Sequence, residues 1–348
     1  MAYRKLIWRI IIAKISVLSV LVTGATGFIG GRLAERLLEE GWSVRVLVRD
    51  PSKLSPILQS LQDIVVGDLI DEGIVARAVV NMNVIFHCAA NVNTWDSWSN
   101  YHIANVLGVK NLLNAIAKEN SGLSRLVHLS TVDVYGFPVS ACDEMSRLTG
   151  SDFNYGKTKL MGELLVKEYG DQSDMSYTII RPANVVGPGS QFIERIGKEL
   201  SSGIMLTVNR GHTNAGVIYI DNLVDYLIWA AGSVKAHREC YNVRDNYDVT
   251  WMFFLDRFRA LIAGKGIIVN LSFPFADAIA CGFEFFYKVF HLSTEPMLHR
   301  LLVRFFGRTC GHSSEKIQND SGFISTVGFD EAMALSCHWF IDHQDYPS

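Results

Sequence analysis

Short runs of β-branched and aliphatic residues alternate with helical patterns in the first half of the chain. The runs that predict buried strands cover residues 17–22, 44–48, 63–66, 84–88, 126–129 and 177–180. Between the first two runs, residues 30–40 place Leu33, Leu37 and Leu38 on one face, as an amphipathic helix does. Strands that alternate with helices are typical of a parallel sheet covered on both sides. The pattern therefore predicts an α/β fold with a doubly wound parallel (Rossmann) sheet over residues 17–185.

The alternation ends after residue 185, where Gly187, Pro188 and Gly189 follow one another and the later helical patterns become rich in aromatic residues. We expect residues 186–348 to form a smaller C-terminal lobe that binds the substrate. Short runs at residues 219–221 and 240–243 predict strands that return and complete the sheet.

Residues 1–16 form a basic and apolar N-terminal extension. Arg9 and Lys14 interrupt its apolar run, which disfavours a secretory signal or a membrane-spanning helix. The extension is either a short amphipathic segment that leads into the first strand or a weak interfacial anchor.

A second amphipathic region lies at residues 267–307. If it is helical, its first part carries one narrow polar stripe, made of Asp277, Glu284, Lys288 and His291. Its apolar residues recur at three- and four-residue steps. They are Ile279, Phe283, Phe286 and Phe290 in the first part, and Leu298, Leu301, Leu302 and Phe305, opposite Arg300, Arg304 and Arg308, in the second. Two interpretations remain open: ordinary core helices of the substrate lobe, or contact with a membrane surface.

Charge and cysteine content narrow the function classes. The 348 residues include 32 basic and 35 acidic residues, so no electrostatic footprint for nucleic acid is present. The six cysteines are scattered and contain no C-x-x-C pair. This spacing disfavours a disulfide framework or a metal site, and it fits a cytoplasmic location, with peripheral membrane contact left open.

A glycine-rich turn separates the first predicted strand from the first helix. Residues 23–30 read TGATGFIG, and glycines at such a turn let the backbone approach a pyrophosphate at the helix N-terminus. The strand–turn–helix context predicts a dinucleotide-binding domain. The residues expected to contact the dinucleotide here are Gly24, Thr26, Gly27, Phe28, Ile29 and Gly30.

The end of the second strand bears on which dinucleotide binds. A carboxylate there would hold the ribose 2′-hydroxyl of NAD, but this chain has Val48 followed by Arg49. A guanidinium can pair with the 2′-phosphate of NADP, so NADP is favoured and NAD remains an alternative. Further expected contacts follow the third and fourth strands, and they are Asp68, Leu69, Ala89 and Ala90. Asp68 is placed to accept a hydrogen bond from the adenine amino group.

A tyrosine and a lysine four residues apart define the candidate catalytic site. Tyr155 and Lys159 lie on one face of a predicted helix over residues 155–169. A free tyrosine has a pKa of about 10, and a neighbouring ammonium is expected to lower it by stabilising the phenolate. Thr131 follows the fifth predicted strand, where its hydroxyl can hold a substrate oxygen beside Tyr155. The arrangement predicts Tyr155 as the catalytic acid/base.

The segments TGATGFIG, GDL, HCAA, NVLGVKNLL, STVDVYG, YGKTK, RPANVVGPG and YIDNLV occur in a characteristic order and spacing. Over about residues 17–245 the chain resembles the extended short-chain dehydrogenase/reductase superfamily, of the NAD-dependent epimerase/dehydratase type. The resemblance implies an NAD(P)-dependent enzyme whose active-site residues are Thr131, Tyr155, Lys159 and Asn105. It also implies a set that borders the nicotinamide, namely Arg181, Pro182, Ala183 and Asn184.

Within the superfamily the chain is most similar to the 3β-hydroxysteroid dehydrogenase and sterol-4α-carboxylate 3-dehydrogenase group. Val132-Asp133 follows the active-site threonine, where nucleotide-sugar dehydratases carry Asp-Glu. Many sugar-nucleotide enzymes carry an arginine before the YIDN segment, and here only Arg210 is nearby. Asp221-Asn222 resembles the Asp-Asn of the steroid group.

The function implied is an NADP(H)-dependent oxidoreductase that interconverts a secondary alcohol and a ketone on a hydrophobic, steroid-like or lipid-like substrate. One alternative is a nucleotide-sugar epimerase that uses a tightly bound NAD. Another is a catalytically silent NADP-binding regulator, which the complete set of active-site residues disfavours. The expected partner is a small apolar molecule, and a homodimer is a candidate assembly.

Overall fold

Parallel strands form the centre of the protein. The structure, a computed structural model, describes residues 18–150, 153–292 and 294–343. The strands in chain order are β1 (Ser19–Thr23), β2 (Ser43–Val48), β3 (Ile64–Val66), β4 (Val84–His87), β5 (Arg125–Leu129), β6 (Tyr177–Pro182), β7 (Asn184–Val186), β8 (Ile204–Val208), β9 (Val217–Tyr219), β10 (Glu239–Val243) and β11 (Ile267–Leu271). Seven of them form one sheet in the order β10-β6-β5-β4-β1-β2-β3, with every neighbouring pair parallel. The six runs that predicted strands all lie in this sheet.

Helices connect the strands and extend the chain beyond the sheet. They are α1 (Phe28–Glu39), α2 (Pro56–Gln59), α3 (Glu72–Val79), α4 (Trp98–His102), α5 (Gly108–Glu119), α6 (Asn154–Ser173), α7 (Gln191–Ser202), α8 (Ile220–Gly232), α9 (Trp251–Leu261), α10 (Phe273–Val289), α11 (Arg300–Gly307), α12 (Glu315–Ser321) and α13 (Phe329–Asp342). A π-helical turn at Ile103–Leu107 joins α4 to α5. A 3₁₀ turn at Val132–Tyr135 follows β5.

Helices cover both faces of the central sheet. On one face, α1 buries Leu33 and Leu37 and α8 buries Leu223 against the strands. On the other face, α5 buries Leu112 and α6 buries Val166. The apolar residues of α1 recur at the four-residue step that predicted this helix, so one stripe of it faces the sheet. The predicted doubly wound α/β fold is confirmed.

Of the two segments expected to return to the sheet, one does. Residues 240–243 lie in β10, which pairs in parallel with β6 at the sheet edge. The expectation for residues 219–221 is wrong, because Val217–Tyr219 pairs with Asn184–Val186 in a separate two-stranded sheet and α8 begins at Ile220. The physical reason is the apolar pattern after Ile220, which recurs at helical rather than strand spacing and packs α8 on the central sheet.

A second core lies among the later elements. Helices α7, α9 and α13 enclose aromatic side chains that include Trp251, Phe254 and Phe340. Beside it, β8 and β11 form a two-stranded parallel sheet, and α10 and α11 follow. Of these elements, α7, β8 and α11 line a cavity at the carboxyl ends of the central strands.

The expectations for residues 1–16 fall outside the described residues. The division of the chain at residue 185 remains a prediction. Across the parts of the chain that the structure describes, none of the helices combines the length and the apolar character needed to cross a membrane.

Candidate functional site

A cavity of about 1300 Å³ opens at the carboxyl ends of the central strands. The segments that follow β1, β2, β4, β5 and β6 all contribute to its wall. Its far end is closed by α7, β8 and α11. Ligands of open parallel α/β sheets bind at this edge, where the chain leaves the strands for helices on either face.

The glycine-rich turn forms the wall at the end of β1. Gly24 has a φ of +76°, and a Cβ there would lie 2.8 Å from the Cα of Ala89. A Cβ at Gly30 would lie 2.4 Å from the carbonyl oxygen of Gly24. No side chain caps the N-terminus of α1 at Gly27, so its first backbone N–H groups are available to an anion. The turn therefore fits a pyrophosphate, and it lines the cavity through Gly24, Thr26, Gly27, Phe28, Ile29 and Gly30.

The remaining predicted cofactor contacts lie along the same edge. The Arg49 side chain is 83% exposed, and its Nη1 lies 3.9 Å from Oδ2 of Asp68. Such a loosely held guanidinium is free to turn toward a bound phosphate. The other predicted positions also line the cavity, and they are Leu69, Ala89, Ala90, Pro182, Ala183 and Asn184.

Three of the predicted catalytic residues converge between the cofactor end and the far end. Thr131 lies on the turn after β5, and its Oγ1 accepts a hydrogen bond of 3.2 Å from the Asp133 backbone N–H. Tyr155 lies in the first turn of α6, and Lys159 one turn later. Lys159 Nζ donates a 2.6 Å hydrogen bond to the carbonyl oxygen of Leu129. All three residues line the cavity.

The expectation that Lys159 lowers the pKa of Tyr155 is wrong. Burial raises the pKa of the Tyr155 phenol above its ordinary value, and the Asp133 carboxylate raises it further, while a hydrogen bond with Thr131 acts in the opposite direction. Burial also lowers the pKa of Lys159, to about 8. Desolvation penalises the charged form of each group, and it is the largest contribution to both pKa shifts. Tyr155 is therefore a neutral phenol at neutral pH.

Asp133 is a residue of the cavity wall that sequence reasoning did not select. It lines the cavity beside Thr131 and Tyr155. Burial raises the pKa of its carboxyl to about 6, against the effect of a hydrogen bond with Thr131. The sequence showed an acid two residues after Thr131, but only the fold shows that this acid faces the phenol.

Asn105 differs from the other predicted catalytic residues, because its side chain does not line the cavity. It is buried in the π-helical turn, where its Oδ1 accepts from the Asn91 backbone N–H at 2.7 Å. Its Nδ2 lies 3.1 Å from the Asn91 carbonyl oxygen and 3.1 Å from Thr158 Oγ1. Asn105 thus joins the loop after β4 to α6. Asn105 is therefore a positioning residue, which holds two parts of the cavity wall together.

A buried ion pair lies next to the predicted catalytic residues, on the side away from the cavity. Glu163 and Arg181 have side chains that are almost fully buried, and the Ser130 hydroxyl donates to Glu163 at 3.0 Å. Burial alone would raise the pKa of Glu163, but hydrogen bonds and charge from Arg181 hold it below its ordinary value. Glu163 lies one turn beyond Lys159 on α6, so the pair fixes this helix against β6 and the segment that carries Thr131. Arg181 was expected to border the nicotinamide, but its side chain is paired with Glu163 and does not line the cavity.

The far end of the cavity is largely apolar. The apolar residues that line it include Ile196, Leu206, Met297, Leu298, Leu301, Leu302 and Phe305. Among the described residues that line this end of the cavity, Arg195 is the positively charged one. Its Nη1 lies 3.0 Å from Glu295 and its Nε lies 3.2 Å from Glu199.

Glu295 is the centre of the polar contacts at this end. Its Oε1 also accepts from Thr94 Oγ1 at 2.7 Å and lies 2.9 Å from His299 Nε2. Burial raises the pKa of Glu295, but the hydrogen bonds with His299 and Thr94 and the charge of Arg195 outweigh it and lower the pKa to about 2. The carboxylate is therefore permanently charged at neutral pH, and it neutralises the guanidinium.

Comparisons with known proteins agree with this geometry. The profile of the NAD dependent epimerase/dehydratase family matches residues 20–249. A 2-alkyl-3-oxoalkanoate reductase of Stenotrophomonas maltophilia is 28% identical over 327 residues, which cover 91% of this chain and 97% of the relative. A 3 beta-hydroxysteroid dehydrogenase/Delta 5→4-isomerase of Mycobacterium tuberculosis is 33% identical over 341 residues, covering 92% of this chain and 90% of the relative.

A solved structure supports the fold. UDP-glucuronic acid 4-epimerase from Bacillus cereus, in complex with NAD, superposes with a TM-score of 0.75 at 18% sequence identity. The superposition covers 93% of this chain and 99% of the epimerase.

The resemblance seen in the motifs is confirmed, since the family profile and the relatives extend over most of the chain. The protein is an NAD(P)-dependent enzyme with a small-molecule substrate. The chain belongs to the NAD dependent epimerase/dehydratase family, within the extended short-chain dehydrogenase/reductase superfamily.

Proposed function

We propose that this protein is an NADP(H)-dependent oxidoreductase that interconverts a ketone and a secondary alcohol on an apolar substrate, with reduction as its main direction. The observation that carries the proposal is the far end of the cavity. Its wall is apolar, and the charge of its cation, Arg195, is neutralised by Glu199 and Glu295. A wall of this kind favours a hydrophobic molecule over one that carries a diphosphate.

The positions of the polar groups support a defined role for each. Thr131 and Tyr155 are proposed to hold the carbonyl oxygen of the substrate through their hydroxyl groups. NADPH, when bound, supplies the hydride that the carbonyl carbon accepts. Tyr155 donates its phenolic proton to the carbonyl oxygen, which becomes the alcohol. Lys159 is held by Leu129 in a position to bond the nicotinamide ribose.

The protonation state of Tyr155 supports the reductive direction. Burial and the neighbouring Asp133 raise the pKa of the phenol, so it holds its proton at neutral pH. A protonated phenol is ready to act as the acid of a reduction, whereas oxidation of an alcohol needs a base in the same place.

The cofactor preference is proposed from the end of β2. Arg49 is exposed, lines the cavity and can pair bidentately with a 2′-phosphate. We propose that it selects NADP(H) over NAD(H). The pyrophosphate would be held by the turn from Gly24 to Gly30, and the adenine by Asp68.

Nucleotide-sugar epimerisation is the second candidate, and the fold is shared with an epimerase. An epimerase must hold the diphosphate of its substrate, for which a free cation in the substrate wall is the usual device. Here Arg195 is already paired with two carboxylates. This pairing makes the epimerase the weaker proposal.

A homodimer is proposed from a separate surface. Four apolar side chains are exposed there, on the π-helical turn and on the neighbouring α6, and they are Ile103, Leu107, Met161 and Leu164. A second copy of the chain would cover them. We propose a cytoplasmic location for the enzyme.

The proposed function is tested by following NADPH absorbance with apolar ketones, ketosteroids, 3-ketoacyl compounds and UDP-sugars. We expect net oxidation of NADPH with one or more of the apolar ketones. An epimerase would convert UDP-sugars with no net change in the cofactor. If only UDP-sugars are converted, the proposal is wrong.

A further inference from the structure

Helix α10 has its polarity reversed relative to an ordinary surface helix. The residues that it buries are Ala276, Ala280 and Glu284, which are four positions apart and are small or charged. The opposite face carries large apolar side chains, with Phe285 70% exposed and Val289 51% exposed. Other exposed apolar residues of α10 and of the segment after it are Phe275, Phe286, Phe290 and Leu292. A helix that meets water normally has the opposite arrangement.

The charged residues of α10 explain the reversal. Glu284 accepts from the backbone N–H of Arg300 at 2.8 Å and from its Nε at 3.1 Å. Asp277 Oδ1 lies 3.2 Å from Arg304 Nη1. The two carboxylates thus face the arginines of α11. Phe273, Ile279 and Phe283 are partly buried on this side, whereas Phe285 and Val289 are exposed.

Helix α11 behaves differently from α10. Leu301 and Val303 are buried, and Leu302 and Phe305 line the cavity. Its apolar face is therefore used inside the protein. The interfacial interpretation of the sequence pattern applies to α10 and not to α11.

Lys288 lies at the edge of the exposed apolar face, and its Nζ lies 3.9 Å from Oε2 of Glu284. Residues 267–308 contain three carboxylates, Asp277, Glu284 and Glu295, and each is paired with an arginine of another segment. Lys288 is 67% exposed and lies three positions from Phe285. An apolar face edged by a lysine matches the boundary between acyl chains and anionic headgroups, where the long lysine side chain reaches the headgroups.

The segment that follows α10 reaches the cavity. Met297, in the segment after α10, is 70% exposed and also lines the cavity. It is followed by Leu298 and Leu301, which line the cavity from a buried position. Ala276 and Ala280 of α10 share an apolar cluster with Leu298, so α10 lies beside this part of the cavity wall.

We propose that α10 inserts its exposed apolar face into the surface of a bilayer that contains anionic lipid, and that an apolar substrate enters the cavity from the bilayer past Met297. The entry route rests on the proposed function, whereas the docking of α10 does not.

Co-sedimentation with vesicles of phosphatidylcholine and phosphatidylserine at low salt tests the docking. The double variant Phe285→Ser/Val289→Ser removes two exposed side chains, so little effect on folding is expected. The matched control is Val234→Ser/Met145→Ser, which removes two apolar side chains that are 88% and 92% exposed elsewhere. We expect wild type and control to sediment with the vesicles, and the α10 variant to partition at least about tenfold less.

Three outcomes would overturn the docking. In the first, the wild type stays in the supernatant. In the second, the α10 variant sediments as well as the control does. In the third, sedimentation velocity shows that the α10 substitutions convert a dimer to a monomer while vesicle binding is absent, so that the face is a contact between two copies of the chain.

The entry route is tested by kinetics of the same variants with two ketones. One is short and water-soluble, and the other has a long chain and is supplied in the vesicles. We expect the α10 variant to keep kcat/KM for the soluble ketone within about twofold and to lose about fivefold or more for the vesicle-borne ketone. An equal kcat/KM for the vesicle-borne ketone in variant and control would overturn the route. If the wild type reduces neither ketone, the proposed function fails, and sedimentation still decides the docking.

Discussion

The two ends of the cavity are built in different ways. The cofactor end consists of short segments that each follow a strand, and its shape depends on backbone turns such as the one that needs Gly24 and Gly30. The far end consists of side chains from α7, β8, α11 and the segment at residues 295–299, with Arg195 and Glu295 as its charged pair. Chemistry that resides in a backbone turn is visible as a motif, whereas chemistry that arises between distant side chains is not.

The largest effect is expected at Tyr155, where the two ends meet. Tyr155→Phe removes the proton donor and leaves the glycine turn intact, so kcat should fall by about 100-fold or more. The dissociation constant for NADPH should stay within about twofold of the wild-type value. Steady-state kinetics and fluorescence titration measure the two quantities. Tyr169→Phe, on the same helix, serves as the control, and a Tyr155→Phe variant that retains more than about a tenth of the activity contradicts the assignment.

Gly30→Ala tests whether the cofactor end depends on its backbone turn. The added Cβ would lie 2.4 Å from the Gly24 carbonyl oxygen, so the turn must shift. We expect a loss of about 1–3 kcal/mol in the free energy of cofactor binding, which is about a fivefold to 150-fold rise in Kd. At Gly122 an added Cβ meets nothing within 4 Å, so Gly122→Ala should leave the titration unchanged. Equal Kd values for the two variants would show that the turn tolerates a side chain.

Arg49→Ala tests the proposed contact with the 2′-phosphate of NADPH independently of the other cofactor contacts. The Kd for NADPH should rise about tenfold, and that for NADH should not change, since only NADPH carries the 2′-phosphate. Isothermal titration with both cofactors measures the preference. Lys53→Ala removes a cation close by in sequence and is the control. The proposal that Arg49 selects NADP(H) is wrong if the wild type binds NADPH and NADH with equal Kd values.

The last effect is expected at Asp133, and it concerns the stability of the fold rather than activity or cofactor binding. Its pKa is raised to about 6, so the folded protein binds this proton more tightly than the unfolded chain does. The resulting stabilisation is complete below the unfolded pKa of about 3.9 and is lost as the pH rises through the folded value. Asp133→Asn should therefore be more stable than wild type at about pH 7.5, by up to about 3 kcal/mol, and the gain should disappear toward about pH 4.

Urea denaturation across this pH range measures the difference. The control is Asp143→Asn, at an exposed carboxyl whose pKa is lowered by hydrogen bonds with Ser146. A lowered folded pKa stabilises the protein above the unfolded value, so this variant should lose stability near neutral pH. If Asp133→Asn raises the free energy of unfolding by the same amount at every pH, the Asp133 carboxylate is not destabilised by burial.

Much of the cofactor end could be predicted because local sequence determines it. A buried β-branched run makes a strand, and a glycine-rich turn after it makes the dinucleotide site. The same edge of the sheet collects Thr131 and, one helix later, Tyr155 and Lys159. The run at residues 219–221 was wrongly assigned to the central sheet, whereas the strand is Val217–Tyr219 and lies in a separate sheet, because so short a run does not specify its partner strand.

The tertiary structure decided what depends on contacts between distant residues. Burial and Asp133 determine the protonation of Tyr155, although its neighbour in sequence predicted the opposite pKa shift. The pairing of Arg195 with Glu295, one hundred positions apart, determines the charge of the substrate wall. The arginines of α11 determine which face of α10 meets the surroundings. Desolvation and ion pairing depend on three-dimensional surroundings, and for this reason no local pattern contained them.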